Sequence, residues 1–486
     1  MNYELVIGLE IHIQAKTKSK MFCRCDAKYF SAAPNTHVCP VCLGLPGALP
    51  VPNKKAIEQC IRLSLALGCE INKFSKFDRK NYFYPDLPKA YQISQFDLPF
   101  GYKGKVRIES QDGEKEIAIT RVHMEEDTGK SIHSGNKTLL DFNKSGVPLL
   151  EVVTEPDFRE VKDVVFFAKR LKQIVTYLGV SDADMEKGQM RFELNMSLRK
   201  IGETQLPKYK VEVKNIGSIS VLEKVIAYET ERQQGILEKG ETPVQETRGL
   251  RDLSGITHSQ RAKEEANDYR YFPEPDIPPI VFSEEEVTLL RATLGELPQE
   301  KKNRYQKDYG FDSALAEKII ATKQKAEWFE QSIVGVQEPQ VIANLAKWYV
   351  GDFMALLKAS KTRLSQAKVT PEMLRELVQR LHEGKITAPS AKQILAEMLV
   401  SGKSPDALIT ELGLEAVSDE GAILDVVKQV LAANPKVLED MKKNPNAYKF
   451  LIGQAMKQLG GKANPQQVDA LLVKELGVTE GAESIQ

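Results

Sequence analysis

Four cysteines near the amino terminus follow the pattern C-x-C-x13-C-x2-C. They are Cys23, Cys25, Cys39 and Cys42. Two close thiol pairs joined by a short loop are typical of a tetrahedral four-thiolate zinc site, which is structural because it leaves no coordination position open. The alternative is four unrelated buried thiols, and the regular spacing favours zinc. Cys60 and Cys69 fall on or just after a helical pattern, and we expect them in the core.

A second group of chemically capable residues follows from the alternation of side chains along predicted strands. In Leu9–Gln14, the residues Glu10, His12 and Gln14 share one face. The same alternation groups His123 with Glu125 and Asp127, Arg191 with Glu193 and Asn195, and Lys210 with Glu212 and Lys214. Glu151 is a single carboxylate within an apolar strand, which costs free energy unless it is paired or holds a metal.

If these strands belong to one antiparallel sheet, its polar face is a candidate floor for a metal and phosphate site. Carboxylate oxygens with one imidazole suit Mg²⁺ or Mn²⁺. The alternative is an ordinary solvated face, which antiparallel sheets commonly have. Glu151 and the pair formed by Glu10 and His12 fit that alternative least well.

Two other segments are rich in basic residues and leave two interpretations open. Residues 79–95 begin with Arg79 and Lys80 and contain aromatic residues and prolines, so they could be a nucleotide-contact loop or a proline-stiffened structural loop. Residues 442–462 could be a helical surface for phosphate groups or a solvated lysine-rich face. The lysines of this segment are Lys442, Lys443, Lys449, Lys457 and Lys462.

Other common catalytic motifs do not occur in the sequence. Asp127–Ser131 reads like the end of a phosphate-binding P-loop, but Met124 stands where that motif needs glycine. There is no G-x-S-x-G nucleophile motif. His123 and His133 have no evident nucleophile partner, so we expect both to be structural.

The composition is that of an ordinary globular protein with two to four domains. The 486 residues are 42% hydrophobic and 28% charged, and 67 basic residues balance 67 acidic ones. This balance argues against a uniformly basic nucleic-acid coat and against a polyacidic protein. No apolar run approaches the ~18–20 residues of a membrane span, and the amino terminus lacks the pattern of a secretory signal. With only six cysteines, the expected compartment is the cytoplasm.

The elements that must position these residues change in character along the chain. The first ~280 residues are β-rich, with two helical patterns near 54–67 and 161–178 and a proline-dense stretch at 271–279. Helical spacing dominates from about Ser283, with a break at 401–405. We therefore expect an α+β protein with an antiparallel-sheet-rich cradle (1–292), a helical domain (293–405), a small all-α tail (406–475) and a flexible C-terminus (476–486).

Long segments spread over the whole chain resemble the B subunit of the tRNA-dependent amidotransferase family, which makes Gln-tRNA and Asn-tRNA by transamidation. The matching segments are GLEIHIQ (8–14), CPVCLGLPGALPVPN (39–53), KNYFYPDLPKAYQISQ (80–95), HMEEDTGK (123–130), DFNKSGVPLLEVVTEPD (141–157), RAKEEANDYRYFPEPDIPP (261–279) and GQAMKQLGGKANP (453–465). An archaeal-type relative that acts only on Glu-tRNA carries a large inserted domain, and no segment here is long enough to be one. A non-enzymatic zinc- and tRNA-binding module stays open as a second interpretation.

The resemblance implies an ATP-dependent reaction on misacylated Glu-tRNA(Gln) or Asp-tRNA(Asn). ATP would phosphorylate the side-chain carboxylate of the tRNA-bound amino acid, and ammonia would then displace the phosphate. The resemblance also implies a heterotrimer, in which a partner amidase releases ammonia from glutamine and a small third protein joins the two. No amidase nucleophile is evident in this chain, which agrees with imported ammonia.

The resemblance assigns roles residue by residue. The expected catalytic residues and Mg²⁺ ligands are Glu10, His12, Glu125 and Glu151. Weaker candidates for substrate or supporting contacts are Glu193, Asn195, Glu212, Lys214, Arg79 and Lys80. In the tail, the expected tRNA-binding residues are Lys449, Lys457 and Lys462. The implied cofactors are ATP, Mg²⁺ and a structural Zn²⁺ held by the four clustered cysteines.

Overall fold

The computed structural model describes residues 2–110, 113–262, 269–417, 419–440 and 445–476. The chain divides into two compact units, Met1–Pro298 and Gln299–Gln486. The first unit contains sheets and helices and the second is helical, so the predicted α+β class is confirmed. Among the described residues, no helix has both the length and the apolar character to cross a membrane.

The strands of the described residues lie in the first unit. They are β1 (Tyr3–Gln14), β2 (Glu70–Ile71), β3 (Phe74–Ser75), β4 (Asp78–Asn81), β5 (Tyr91–Ser94), β6 (Gly101–Ser110), β7 (Gly113–Glu126), β8 (Lys130–Ser134), β9 (Lys137–Asp141), β10 (Pro148–Thr154), β11 (Met190–Lys200), β12 (Val211–Ile216), β13 (Glu246–Leu250), β14 (Thr257–Ala262), β15 (Phe272–Pro273) and β16 (Ile280–Val281).

The helices occur in both units. They are α1 (Lys54–Ala66), α2 (Val161–Tyr177), α3 (Ile219–Leu237), α4 (Glu284–Ala292), α5 (Pro298–Tyr309), α6 (Ser313–Ile320), α7 (Lys323–Ser332), α8 (Pro339–Trp348), α9 (Met354–Ala359), α10 (Pro371–His382), α11 (Ala388–Ser401), α12 (Pro405–Leu412), α13 (Glu420–Ala433), α14 (Pro435–Asp440), α15 (Lys449–Gln458) and α16 (Pro465–Leu476). A π-helical turn, Tyr349–Phe353, joins α8 to α9.

The main sheet has β1 at its centre. Within the described residues its strand order is β14-β13-β12-β11-β1-β10-β7-β6-β2. Neighbouring strands run antiparallel except β12 and β13, which are parallel. The apolar residues of β1, including Ile7, Leu9, Ile11 and Ile13, are buried in the core. This matches the predicted alternation, in which the opposite face carries the polar side chains.

Three of the described helices in the first unit pack against this sheet. Helices α1 and α2 are the two predicted ones, and both contact β6. The third, α3, was missed in the sequence, and the expectation of only two helical patterns in the β-rich region was wrong. Helix α3 contacts β11 and begins where the Ser218 side chain accepts a hydrogen bond from the Val221 backbone N–H, a local N-cap signal.

Among its described residues, the second unit contains two hydrophobic cores. One is formed by buried residues between Tyr305 and Leu414, and the other by buried residues between Ile423 and Leu472. Helix α12 contributes Leu408 and Ile409 to the first of these cores. The three-domain division therefore stays a prediction. Residues 477–486, most of the predicted flexible C-terminus, lie outside the described residues.

Candidate active site

The register of four antiparallel strands brings the predicted site residues together. His12 on β1 lies directly opposite Glu151 on β10 and Arg191 on β11, and Glu151 lies opposite His123 on β7. Opposed residues of an antiparallel pair point to the same face. This row of four polar side chains therefore shares the face opposite the apolar core.

The first cluster of metal-ligating groups consists of His12, Glu125 and Glu151. One ligand atom from each lies within 4.8 Å of the others, and all three residues are buried. The Nε2 atom of His12 is 3.3 Å from Glu151 Oε2 and 3.6 Å from Glu125 Oε1. His123 Nε2 lies 3.4 Å from the same Glu151 oxygen, so His123, expected to be structural, lies against this cluster.

The second cluster consists of Glu10, Glu193 and Glu212, again with ligand atoms within 4.8 Å of one another. Glu10 had been grouped with His12, but the two carboxylates that share its cluster come from β11 and β12. Asn195 donates a hydrogen bond of 2.9 Å from its amide to Glu10 Oε1. The Lys214 ammonium lies 2.9 Å from Glu193 Oε2 and 3.1 Å from Glu212 Oε1.

In the first cluster, His12 and Glu151 each favour the charged form of the other. Burial alone would raise the pKa of Glu151, but His123 and His12 together hold that pKa well below its usual value. Burial alone would lower the pKa of His12, yet Glu151 and then Glu193 raise it. The Nδ1 atom of His12 is buried and has no hydrogen-bond partner among the described residues.

The second cluster carries an excess of negative charge. Burial, with added repulsion from Glu151 and Glu193, raises the pKa of Glu10. The pKa of Lys214 is raised by Glu193 and Glu212 in spite of its burial. Three carboxylates meet the Lys214 ammonium here, and carboxylate oxygens are the ligands that suit a further cation.

Both clusters line a cavity of about 1000 Å³. Its wall includes the basic residues Lys80, Arg121, Arg191, Lys210 and Lys214. An aromatic group also lines the cavity, formed by Tyr82, Tyr84, Phe96, Tyr269 and Tyr271. Within it the Phe96 and Tyr271 rings are stacked with centroids 4.3 Å apart.

The first two residues of the segment 79–95, Arg79 and Lys80, lie in different environments. Lys80 lines the cavity, 4.0 Å from Glu125 Oε2, and its pKa is raised well above the usual value by Glu125 and Glu151 despite burial. Arg79 does not line the cavity; its guanidinium donates hydrogen bonds of 2.7 and 2.8 Å to buried Glu274. Successive strand residues point to opposite faces, which accounts for this division.

A buried network around Asp127 was not predicted as part of the site. The Asp127 carboxylate accepts hydrogen bonds from Gln14 at 2.9 Å and Arg191 at 3.4 Å, and its Oδ1 lies 3.0 Å from the Lys144 ammonium. Burial would raise the pKa of Asp127, but Lys144 and Arg191 lower it strongly. The strand alternation had grouped Asp127 with His123 and Glu125; its basic partners come from other segments.

The four clustered cysteines also come together. One sulfur from each of Cys23, Cys25, Cys39 and Cys42 lies within 4.8 Å of the others, and the Cys39 and Cys42 sulfurs are 3.9 Å apart. Two sulfurs bound tetrahedrally to one Zn²⁺ at about 2.3 Å lie about 3.8 Å apart, so the spacing fits. The other two cysteines, Cys60 and Cys69, are buried in the core as expected.

A fully buried lysine contacts this cysteine cluster. Lys20 is only 1% exposed, and its ammonium donates to Cys42 Sγ at 3.6 Å and to the Phe142 carbonyl at 3.3 Å. Interaction with the Cys23 thiol and then the charge of Lys20 lower the pKa of Cys42, against the effect of burial. A buried ammonium requires negative charge nearby, and thiolates would supply it.

The three tail lysines lie on and just after α15. Lys449 is its first residue, Lys457 falls in its last turn, and Lys462 lies in the connection to α16. Lys449 and Lys457 are exposed, and Lys462 is half-buried. Lys442 and Lys443, the other lysines of the basic segment, lie outside the described residues.

The sheet-containing first unit and the helical second unit each match a family of known proteins. Residues 5–288 match the family model of the GatB/GatE catalytic domain, and residues 327–476 match that of the GatB domain. The chain belongs to the GatB family.

Relatives with curated names resemble the chain over nearly its full length. The aspartyl/glutamyl-tRNA(Asn/Gln) amidotransferase B subunit of Caldanaerobacter subterraneus subsp. tengcongensis is 46% identical over 478 residues, covering 98% of this chain and 100% of the relative. The proteins of the same name from Persephonella marina and Thermus thermophilus are 46% and 45% identical. They cover 97% and 98% of this chain, and the alignments span 99% and 100% of the relatives.

Proposed function

We propose that this chain is the component of a tRNA-dependent amidotransferase that activates and amidates the amino acid carried by a misacylated tRNA. The substrates are Glu-tRNA(Gln), Asp-tRNA(Asn) or both, and the products are Gln-tRNA(Gln) and Asn-tRNA(Asn). The observation that carries the proposal is the pair of metal-ligating clusters on the floor of one large cavity. Curated relatives that match nearly the whole chain bear this activity in their names.

Both clusters fit Mg²⁺. His12, Glu125 and Glu151 offer one imidazole nitrogen and two carboxylates, while Glu10, Glu193 and Glu212 offer three carboxylates. Among the described residues, the buried Nδ1 of His12 has no hydrogen-bond partner, and burial together with neighbouring carboxylates raises the pKa of Glu10. Both observations support the proposal of a cation here. Bound there, Mg²⁺ would neutralise the phosphate oxygens of ATP.

The reaction requires positioning and neutralisation of charge more than proton transfer. A substrate carboxylate oxygen attacks the γ-phosphorus of ATP, a new O–P bond forms, and the bond to the bridging oxygen breaks with its electron pair on ADP. The attacking carboxylate is already ionised, so no general base is needed. Lys80, Lys214 and Arg191 line the cavity and bring positive charge to its wall.

The second step converts the acyl phosphate to an amide. Ammonia attacks the acyl carbon, inorganic phosphate leaves with the C–O bonding electrons, and the nitrogen loses a proton. We propose that a partner amidase supplies the ammonia from glutamine and that a small third protein completes a heterotrimer. The cytoplasm is the proposed compartment, because the reaction consumes ATP and aminoacylated tRNA.

The cysteine cluster has a separate, structural role in this proposal. Zn²⁺ held by the four sulfurs would fix the loop between β1 and α1 next to the Gly146 turn, where the Cys42 side chain lies. The tail lysines Lys449, Lys457 and Lys462 would contact phosphate groups of the tRNA.

The decisive experiment uses the chain copurified with the partner amidase and the small third protein. Glu-tRNA(Gln) or Asp-tRNA(Asn), ATP and Mg²⁺ are supplied with either glutamine or ammonium, and the amino acid on the tRNA is identified. ATP-dependent formation of Gln or Asn with both nitrogen sources supports the whole proposal and names the substrate. Conversion with ammonium but not with glutamine would show that amide formation by this chain does not require the glutaminase activity of the partner amidase. No conversion with ammonium while tRNA still binds would favour a zinc- and tRNA-binding module instead.

A further inference from the structure

One arginine of the cavity occupies a defined position in the strand register. Arg121 on β7 lies opposite Val153 on β10, which in turn lies opposite Glu10 on β1. At about 4.8 Å per strand, its Cα is about 10 Å from that of Glu10 across the sheet. It is also two residues from His123 on the same strand, about 7 Å along it. Arg121 therefore flanks both metal-ligating clusters on the polar face.

The side chain of Arg121 differs from most cations around it. Lys80 lies beside Glu125, Arg191 beside Asp127, and Lys214 between two glutamates. Arg121 is half-buried and lines the same cavity, but its side chain forms no hydrogen bond or ion pair with any residue in the described part of the chain. The described carboxylates that pair with Lys80, Arg191 and Lys214 therefore do not neutralise the charge of Arg121.

A half-buried guanidinium that is unpaired within the described residues and lies near two carboxylate clusters is suited to binding an anion. Its planar fork of N–H donors matches two oxygens of a phosphoryl group. In phosphoryl transfer the negative charge spreads over the equatorial oxygens of the transferred group, where an arginine stabilises it strongly. A cation that already pairs with glutamate or aspartate attracts an incoming anion less strongly, because the carboxylate offsets its positive charge.

We propose that Arg121 binds the transferring γ-phosphoryl group of ATP and stabilises the charge that develops on it. This inference rests on the proposed function, since it identifies the group in the site that meets the nucleotide triphosphate. The guanidinium stays protonated throughout and takes part in no bond making or breaking. It holds the γ-phosphate oxygens while the carboxylate attacks in line and ADP leaves.

The test compares Arg121→Ala and Arg121→Lys with wild type in the assembled complex. The first readout is the affinity for the magnesium complex of a non-hydrolysable ATP analogue, measured by calorimetry. We expect Arg121→Ala to weaken this affinity about tenfold to hundredfold, because the substitution removes charge-assisted hydrogen bonds. The second readout is ADP formation with Glu-tRNA, where kcat should fall on the order of 10³-fold. The matched control is Arg107→Ala, an exposed arginine on β6.

Added guanidinium separates a chemical role from a structural one. If Arg121 contacts the phosphoryl group, guanidinium chloride at low concentration restores ADP formation in Arg121→Ala but does not raise the rate of wild type. Arg121→Lys keeps the charge without the fork and should retain an intermediate kcat with an unchanged melting temperature. That second variant keeps the test decisive if Arg121→Ala unfolds.

Two results would overturn the inference. One is analogue affinity and kcat in both Arg121 variants within twofold of wild type. The other is a wild-type complex that does not bind the analogue. A wild-type complex that binds the analogue through Arg121 but forms no amide would instead contradict the proposed function and leave the phosphate contact standing.

Discussion

His12 and Glu151 are directly opposed partners on adjacent antiparallel strands, with His12 Nε2 3.3 Å from Glu151 Oε2. The other ring nitrogen of His12 lies 3.8 Å from Glu193 Oε1, which belongs to the second carboxylate cluster. One imidazole therefore stands between the two candidate metal sites. Removing any ligand of the first site changes the charge that the second site experiences.

Glu125→Gln should abolish most amide formation while tRNA binding persists. The substitution removes one carboxylate charge from the first cluster, and loss of metal assistance worth several kcal/mol lowers kcat by about 10³-fold. Amide formation with ammonium and tRNA affinity by filter binding are the two measurements. Glu114→Gln, at the exposed far end of the same strand, is the control. Wild-type turnover in Glu125→Gln would remove this residue from the site.

Lys20→Met should weaken zinc binding without removing a metal ligand. The buried ammonium compensates the charge of the thiolates, and loss of such a supporting contact typically costs about 10–100-fold in metal affinity. Zinc content by elemental analysis and competition with a chromogenic chelator measure the effect. Lys18→Met, on an exposed side chain two residues away, should bind zinc like wild type. Equal affinities in the two variants would contradict the charge compensation.

Glu229→Gln should destabilise the protein in a pH-dependent way. Burial alone raises the pKa of Glu229, but hydrogen bonds from Arg232, Gln233 and Thr257 outweigh it and lower that pKa. A depressed folded-state pKa contributes stability that is present above the unfolded value near about 4.3 and is lost as the pH falls through the folded value. Removing the charge of Glu229, which pairs with Arg232, should lower the free energy of unfolding by about 3 kcal/mol at neutral pH.

The melting temperature of the full chain from about pH 7 down to pH 3 measures this effect. The difference between wild type and Glu229→Gln should be largest at about pH 7 and shrink below about pH 4.5. Glu231→Gln, exposed on the same helix, should melt like wild type throughout. A difference that stays constant with pH would mean that the carboxylate charge of Glu229 does not stabilise the fold.

The double variant Lys449→Ala/Lys457→Ala should bind tRNA more weakly at low salt. Each lost phosphate contact reduces the slope of log affinity against log salt by about one. KM for tRNA should rise while kcat with saturating tRNA stays near wild type. Lys347→Ala, on an exposed lysine of α8, is the matched control. An unchanged KM and salt slope would eliminate this role of the tail.

Strand alternation predicted which residues share a face but not which residues meet across strands. Glu10 and His12 were correctly assigned to the polar face of β1 from their two-residue spacing. Their separation into two clusters depends on register, because β11 and β12 bring Glu193 and Glu212 to Glu10. Register arises from long-range pairing, which a single sequence does not encode locally.

Helix α3 and the Asp127 network were missed for different reasons. The Ser218 cap and the apolar spacing after it were available in the sequence, so α3 could have been found. The partners of Asp127 are Lys144 and Arg191, 17 and 64 residues away along the chain. No local pattern joins residues at such separations, so this network required the tertiary structure.

The central position of β1 delays the assembly of the site during synthesis. Strand β1 leaves the ribosome before its two partners, β10 and β11, which end at Thr154 and Lys200. At about 5–20 residues per second, the second of these partners emerges roughly 10–40 s after β1. During that interval the apolar residues of a central strand have no sheet to cover them. Strand β1 is therefore exposed to aggregation until about 190 further residues have been translated, and chaperone binding to β1 would protect the chain during this interval.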